Sequence, residues 1–222
     1  MKRIVLKVSK TRINYTSAIR RRNDVISMIL NIMSIIMQID IQENYGCDLD
    51  EVEENDIGVI LIIDRMSRIF LVSKNKIHSF QIPFGLKIVE DRYVFYSRGI
   101  DIDNLTLSLL NSVYYKLDED YDFCALEDRF LNEVENYHID KNSTSFVSSL
   151  VGILQTFEIG YLRYDYDDDP TRVNDITHPI NHLDINFTNS ATYKIGLNNR
   201  LDCKKLEDIL DVNTKCAFIK DF

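Results

Sequence analysis

Tryptophan is absent from this chain, and proline and glycine are scarce, at 3 and 7 of 222 residues. So few breakers leave little room for a long flexible linker, and one composite domain over 1–222 is expected. Without Trp, aromatic packing falls to 12 Tyr and 11 Phe. The four cysteines, Cys47, Cys124, Cys203 and Cys216, stand far apart with no C-x-x-C pair, which argues against a zinc knuckle. There is no Gly-rich phosphate loop and no G-x-S-x-G elbow. A membrane span needs about 20 consecutive apolar residues. The most apolar run, Val25–Ile39, is shorter and is broken by Ser27, Asn31, Ser34 and Gln38, so no membrane segment is expected. Met1–Ser9 alternates charged and aliphatic residues, unlike a secretory leader. A cytoplasmic protein with reduced thiols is the expectation. Basic residues are also in deficit, 26 Lys and Arg against 35 Asp and Glu, for a net charge of −9. That balance argues against a general nucleic-acid coat.

What is present has the make-up of a soluble globular protein, 45% hydrophobic and 27% charged. The charge is uneven. Residues 1–37 hold eight basic residues and one acid, Asp24, which leaves 18 of the 26 basic and 34 of the 35 acidic residues for the rest. A basic N-terminus on an acidic body is either a solvated face or a surface for phosphate, so nucleic acid is a possible partner there.

The pattern predicts an α+β chain in four segments. Over 1–56, a short strand or arm precedes a long N-terminal helix capped at Thr16 or Ser17 and running to about Ile39. Its apolar girth requires burial in a core or against a partner chain, so Val25–Ile39 is a candidate protein-partner or homo-oligomer surface. Over 57–98, short β-prone runs separated by polar turns read as one antiparallel meander. Over 103–158, three helices are expected: from Asp103 or Asn104 to about Leu117, from Ala125 to Tyr137, and from a cap at Ser143 or Thr144. The last carries an apolar stripe of Val147, Leu150, Val151, Leu154 and Phe157. A C-terminal β unit follows over 159–222, closed by a short helix at about Lys204–Leu210.

That last segment carries the chemistry. In a strand, alternate side chains share a face. Tyr161, Arg163, Asp165 and Asp167 then lie opposite Leu162, Tyr164 and Tyr166. His182, Asp184 and Asn186 lie opposite Leu183, Ile185 and Phe187. Both segments are expected to bury an apolar face and show an ionisable one, as antiparallel sheets often do. Residues 168–181 between them hold two prolines and several Asp, Asn and Thr, which is loop chemistry. If the strands pair, Arg163, Asp165, His182 and Asp184 converge on one face, with His178 at the loop exit. Asp165, His182 and Asp184 are candidate ligands for a divalent metal, since imidazole and carboxylate suit Mn, Zn or Fe. A hydrolytic site would use His182 as general base and Arg163 on the developing charge. The plain alternative is a set of ion pairs. Arg172 to His178 resembles the Arg-x(4–6)-His motif of a helical RNase superfamily, but here it lies between Pro170 and Pro179. His78 and His138 stand alone and read as core or surface residues.

Arg163-x-Asp165, the acidic loop, His178-Pro179-x-x-His182-Leu183-x-Ile185 and Tyr193-Lys194-Ile195-Gly196-Leu197 together resemble the C-terminal signature of a prokaryotic family of unknown function. Its genes are found among mobile elements and phage-defence islands. The resemblance covers about the last third of the chain and implies no defined activity. Two functions are therefore carried forward. One is a non-enzymatic interaction or accessory subunit of a prokaryotic assembly, for which the resemblance suggests phage defence. The other is a small metal-dependent hydrolase or nuclease built on Arg163, Asp165, His178, His182 and Asp184.

Overall fold

The computed structural model describes residues 2–13, 15, 19, 21–39, 52–115, 123–186 and 192–216. The expected caps Thr16 and Ser17, Cys47, Leu117, Phe187 and most of the acidic 41–56 segment lie outside them. The chain is α+β and divides into two compact units, each drawn from separate stretches of sequence.

The first unit holds residues 1–8, 46–81 and 160–222. Its strands are β1 (Lys2–Ser9), β2 (Asp56–Ile63), β3 (Arg68–Val72), β4 (Lys76–Gln81), β8 (Leu162–Tyr166), β9 (Asn181–Ile185) and β10 (Tyr193–Gly196). They form one seven-stranded sheet in the order β1-β2-β3-β4-β8-β9-β10. The C-terminal β unit expected from the sequence is thus not a separate element, because β8 adds directly to β4. One face of the sheet is an apolar cluster of Ile60, Ile62, Phe70, Val72, Ile77, Leu162, Tyr164 and Leu183, and Leu206 of helix α5 (Cys203–Leu210) packs into it. Asp202 caps α5 by accepting the Lys205 N–H at 2.7 Å. The helix is tied down further by Arg3 to Glu207 at 2.9 Å and by a contact of Arg65 with the buried Asp211, just past its end.

The second unit holds residues 9–45 and 82–159. It contains α1 (Arg22–Ile36), a three-stranded sheet of β5 (Gly85–Val89), β6 (Arg92–Ser97) and β7 (Ile100–Asp101), and helices α2 (Asn104–Tyr114), α3 (Phe123–Asn136) and α4 (Lys141–Thr156). The meander expected over 57–98 is divided between two sheets. The β5–β6 connection is a two-residue turn in which Glu90 and Asp91 both take positive φ, the geometry that matches strand twist.

The N-terminal helix is shorter than expected, at 15 residues. Asp24 fixes its start by accepting the Arg21 backbone N–H at 3.1 Å. Its apolar residues Val25, Ile26, Met28, Ile29, Leu30, Ile32, Met33, Ile35 and Ile36 are buried within this chain, and it packs against α2. They are therefore core, and the helix offers no free apolar face of the kind a partner would need. Helix α4 begins one turn earlier than Ser143 suggests. Asp140 is its cap, accepting the Ser143 N–H at 3.2 Å and its hydroxyl at 2.6 Å. No helix among the described residues is long and apolar enough to cross a membrane.

Candidate functional site

β8 and β9 are antiparallel neighbours, with Arg163 opposite Asp184 and Asp165 opposite His182. The adjoining strands extend this register. Lys76 and His78 of β4 stand opposite Asp165 and Arg163. Gly196 and Lys194 of β10 stand opposite His182 and Asp184. Two polar rows therefore cross four strands on one face: Lys76, Asp165, His182, Gly196, and His78, Arg163, Asp184, Lys194. Arg163, Asp165, His182 and Asp184 converge as the alternation requires.

The face is not wet, however. His182, Asp184 and Asp165 are 0%, 2% and 4% exposed. The expectation of an exposed ionisable face is corrected here, and the reason is charge matching. The Arg163 guanidinium spans both carboxylates, with Nε 2.7 Å from Asp165 Oδ2 and its terminal nitrogen donating to Asp184 Oδ2. Lys76 Nζ lies 3.3 Å from Asp165 Oδ1. Paired charges can leave water where isolated ones cannot. Burial alone would raise the Asp165 pKa. It is outweighed by the His182 contact and the charges of Arg163 and Lys76, which hold that carboxyl below its usual range. Burial, reinforced by Arg163, pushes His78 down to about 3, so His78 is neutral.

His182 has a fixed tautomer. Its Nδ1 lies 2.8 Å from the Pro179 carbonyl, which only accepts, so Nδ1 carries the proton and donates. Nε2 then points back at Asp165 Oδ2, 3.5 Å away, at the limit of an ion-pair contact. Nε2 and Asp184 Oδ1 are buried without a hydrogen-bond partner. Asp165, His182 and Asp184 each offer one ligand atom, and these atoms lie within 4.8 Å of one another.

His178 is near but not convergent. Its ring centroid is 4.6 Å from that of His182, yet both its nitrogens are engaged. Nδ1 accepts from Lys194 Nζ at 3.0 Å, and Nε2 donates to Asp167 Oδ2 at 3.2 Å. The loop that carries it has structure of its own. Asn174 and His178 exchange backbone hydrogen bonds of 2.9 and 2.8 Å, and the Asn174 side chain accepts the N–H groups of Ile176 and Thr177. The Arg172 to His178 segment therefore lies in a tight loop and not on a helix.

Lys76, His78, Lys194 and Gly196 were missed as members of this face. The β4 sequence Lys76-x-His78 carries the right alternation, but nothing local says that β4 pairs with a strand some 80 residues on. Four of the basic N-terminal side chains are engaged within the chain: Arg3 with Glu207, Lys7 with Glu53 and Asp56, Arg21 with Asp24, and Arg22 with the Leu154 and Phe157 carbonyls. Compared with known proteins, the chain matches no family model, no curated protein and no solved structure.

Proposed function

We propose that this chain is a non-enzymatic accessory subunit that takes an extended segment of a partner protein along the β10 edge of its large sheet. β10 is the terminal strand in that order, and among the described residues nothing pairs with its outer side. The Leu197 N–H bonds the Asn181 carbonyl at 2.9 Å. In the alternating antiparallel ladder this directs the backbone groups of Lys194 and Gly196 outward. A groove lined by Ile176, Thr177, Pro179, Lys194, Gly196 and Leu197 runs beside them. Tyr193 and Ile176 are 72% and 91% exposed. Outward backbone donors and acceptors beside an apolar-rimmed groove are what strand addition uses. The mobile-element and phage-defence setting of the resembling family accords with a subunit of a larger assembly.

The competing reading, a metal-dependent hydrolase or nuclease, needs substrate and water to reach Arg163, Asp165, His182 and Asp184. Their burial favours the non-enzymatic reading.

A photo-crosslinking residue at Tyr193, used in the native host, tests the proposal. A discrete adduct with a second protein is expected, and Lys194→Pro should abolish it. Proline there removes an outward N–H, which an edge strand tolerates, together with the Lys194 contact to His178. Lys194→Met should keep the adduct. Crosslinks that persist in the proline variant would sink the proposal.

A further inference from the structure

The apolar side of the large sheet is explained by packing. The polar side leaves one thing unexplained: buried ligand atoms without a hydrogen-bond partner. His182 Nε2 is one of them, with the ring held from its other side by the Pro179 carbonyl. It points at Asp165, and Asp184 Oδ1 lies in the same buried pocket of ligand atoms without a hydrogen-bond partner. Buried polar atoms without partners are costly. Something positive between them removes that cost.

We propose that Asp165, His182 and Asp184 hold a divalent transition-metal ion, zinc or manganese in class, as a closed structural site. The imidazole selects against magnesium and calcium, which prefer oxygen ligands. The His182 to Pro179 hydrogen bond is the outer-shell contact that metal-bound histidines make, fixing the ring with Nε2 inward. Arg163 occupies Oδ2 of both carboxylates, so it braces them from one side and leaves each an Oδ1. Asp184 Oδ1 is open, and Asp165 Oδ1 meets Lys76 Nζ at 3.3 Å without hydrogen-bond geometry. Ligand atoms on one ion at about 2.0–2.2 Å sit closer together than 4.8 Å, so the three side chains close on it. Lys76 is one-third exposed and swings out to solvent as the ion enters. The three ligand side chains are buried, which suits a structural role and needs no substrate path. This inference is independent of what the β10 edge binds.

The purified full-length chain is stripped with EDTA and titrated with Zn²⁺ or Mn²⁺ by calorimetry, with bound metal counted after desalting. One equivalent per chain is expected, with a higher Tm on loading. Lys76→Met should bind on the order of tenfold tighter, since it removes a competing charge from Asp165. Asp184→Asn should bind at least about tenfold more weakly, one lost charged ligand being worth that much or more. Co²⁺ substitution should give d–d absorption without a thiolate charge-transfer band. If Asp184→Asn fails to fold, the Lys76→Met and cobalt results still decide. Wild-type protein that binds no ion, or Lys76→Met that binds no more tightly, overturns the proposal. So does a His182 imidazole ¹⁵N spectrum showing both nitrogens protonated and unchanged by Zn²⁺.

Discussion

Gly196 stands directly across from His182 in the β9–β10 pair, and a Cβ on Gly196 would come within 3.1 Å of Pro179 Cγ. Pro179 supplies the carbonyl that orients the His182 ring. Gly196→Ala should therefore push Pro179 away and loosen that hydrogen bond. The expected cost is about 1 kcal/mol, the scale of mild overpacking. Chemical denaturation measures it, and the His182 Nδ1–H resonance should broaden or shift. A variant as stable as wild type with an unchanged resonance would show that the contact is not constraining.

Arg163 is the keystone of the charge arrangement, because it touches both Asp165 and Asp184. Arg163→Met leaves two buried carboxylates facing each other across the strands. Breaking a buried pair in this way costs about 3–5 kcal/mol. Thermal unfolding should show that loss, and it should exceed the loss for Arg172→Met, whose partners Asp167 and Asp169 lie nearer solvent. Equal effects would mean that the buried network contributes nothing special.

Acid should destabilise the fold through His78. Its folded pKa is lowered from 6.5 to about 3, by burial first and by Arg163 second. Above pH 6.5 neither folded nor unfolded His78 is protonated, and its effect is nil. Below 6.5 the unfolded chain takes up a proton that the folded one refuses. Stability then falls as pH drops toward 3, by up to about 1.4 kcal/mol per pH unit from this group. His78→Gln should flatten the urea-midpoint profile between pH 6.5 and 4. A profile as steep as wild type would assign the acid sensitivity elsewhere.

Thiol reactivity should separate the cysteines. Burial, with the Glu207 carboxylate beside it, pushes Cys203 up to about 12. Cys124 and Cys216 are exposed. A thiol-exchange reagent at pH 8 should modify Cys124 and Cys216 quickly and Cys203 only on unfolding, because the thiolate is the reactive form. Fast labelling of Cys203 in the folded protein would contradict its half-buried place on α5 beside Glu207.

Much of this was legible in the residues. The alternation at Arg163–Asp165 and His182–Asp184 determined which side chains share a face, since a one-residue slip would turn Leu183 and Ile185 to the other side. The apolar girth of α1 required burial, and the chain supplies it. Asp103 announced α2 by capping it, accepting the Thr106 N–H at 2.7 Å. What local pattern could not carry was long-range pairing. Nothing in Lys76–Gln81 names Leu162–Tyr166 as its neighbour, so the split of the meander between two sheets and the polar row through Lys76 and His78 were hidden. Charge alternation suggests a solvated face. It is equally a sign of mutual neutralisation, and Arg163 between two aspartates is the second case.

The strand order of the large sheet also bears on how the protein is made. β2, β3 and β4 are consecutive in the chain and free to pair once translated, but the next strand in the sheet, β8, is translated only after the whole of residues 82–159. Until then the far edge of β4, whose backbone later pairs with β8, stands open. Synthesis at about 5–20 residues per second leaves that edge uncovered for several seconds. A nascent chain in this state is a template for strand exchange with its neighbours on a polysome. A chaperone that shields the β4 edge would raise the yield of native protein without altering its final stability.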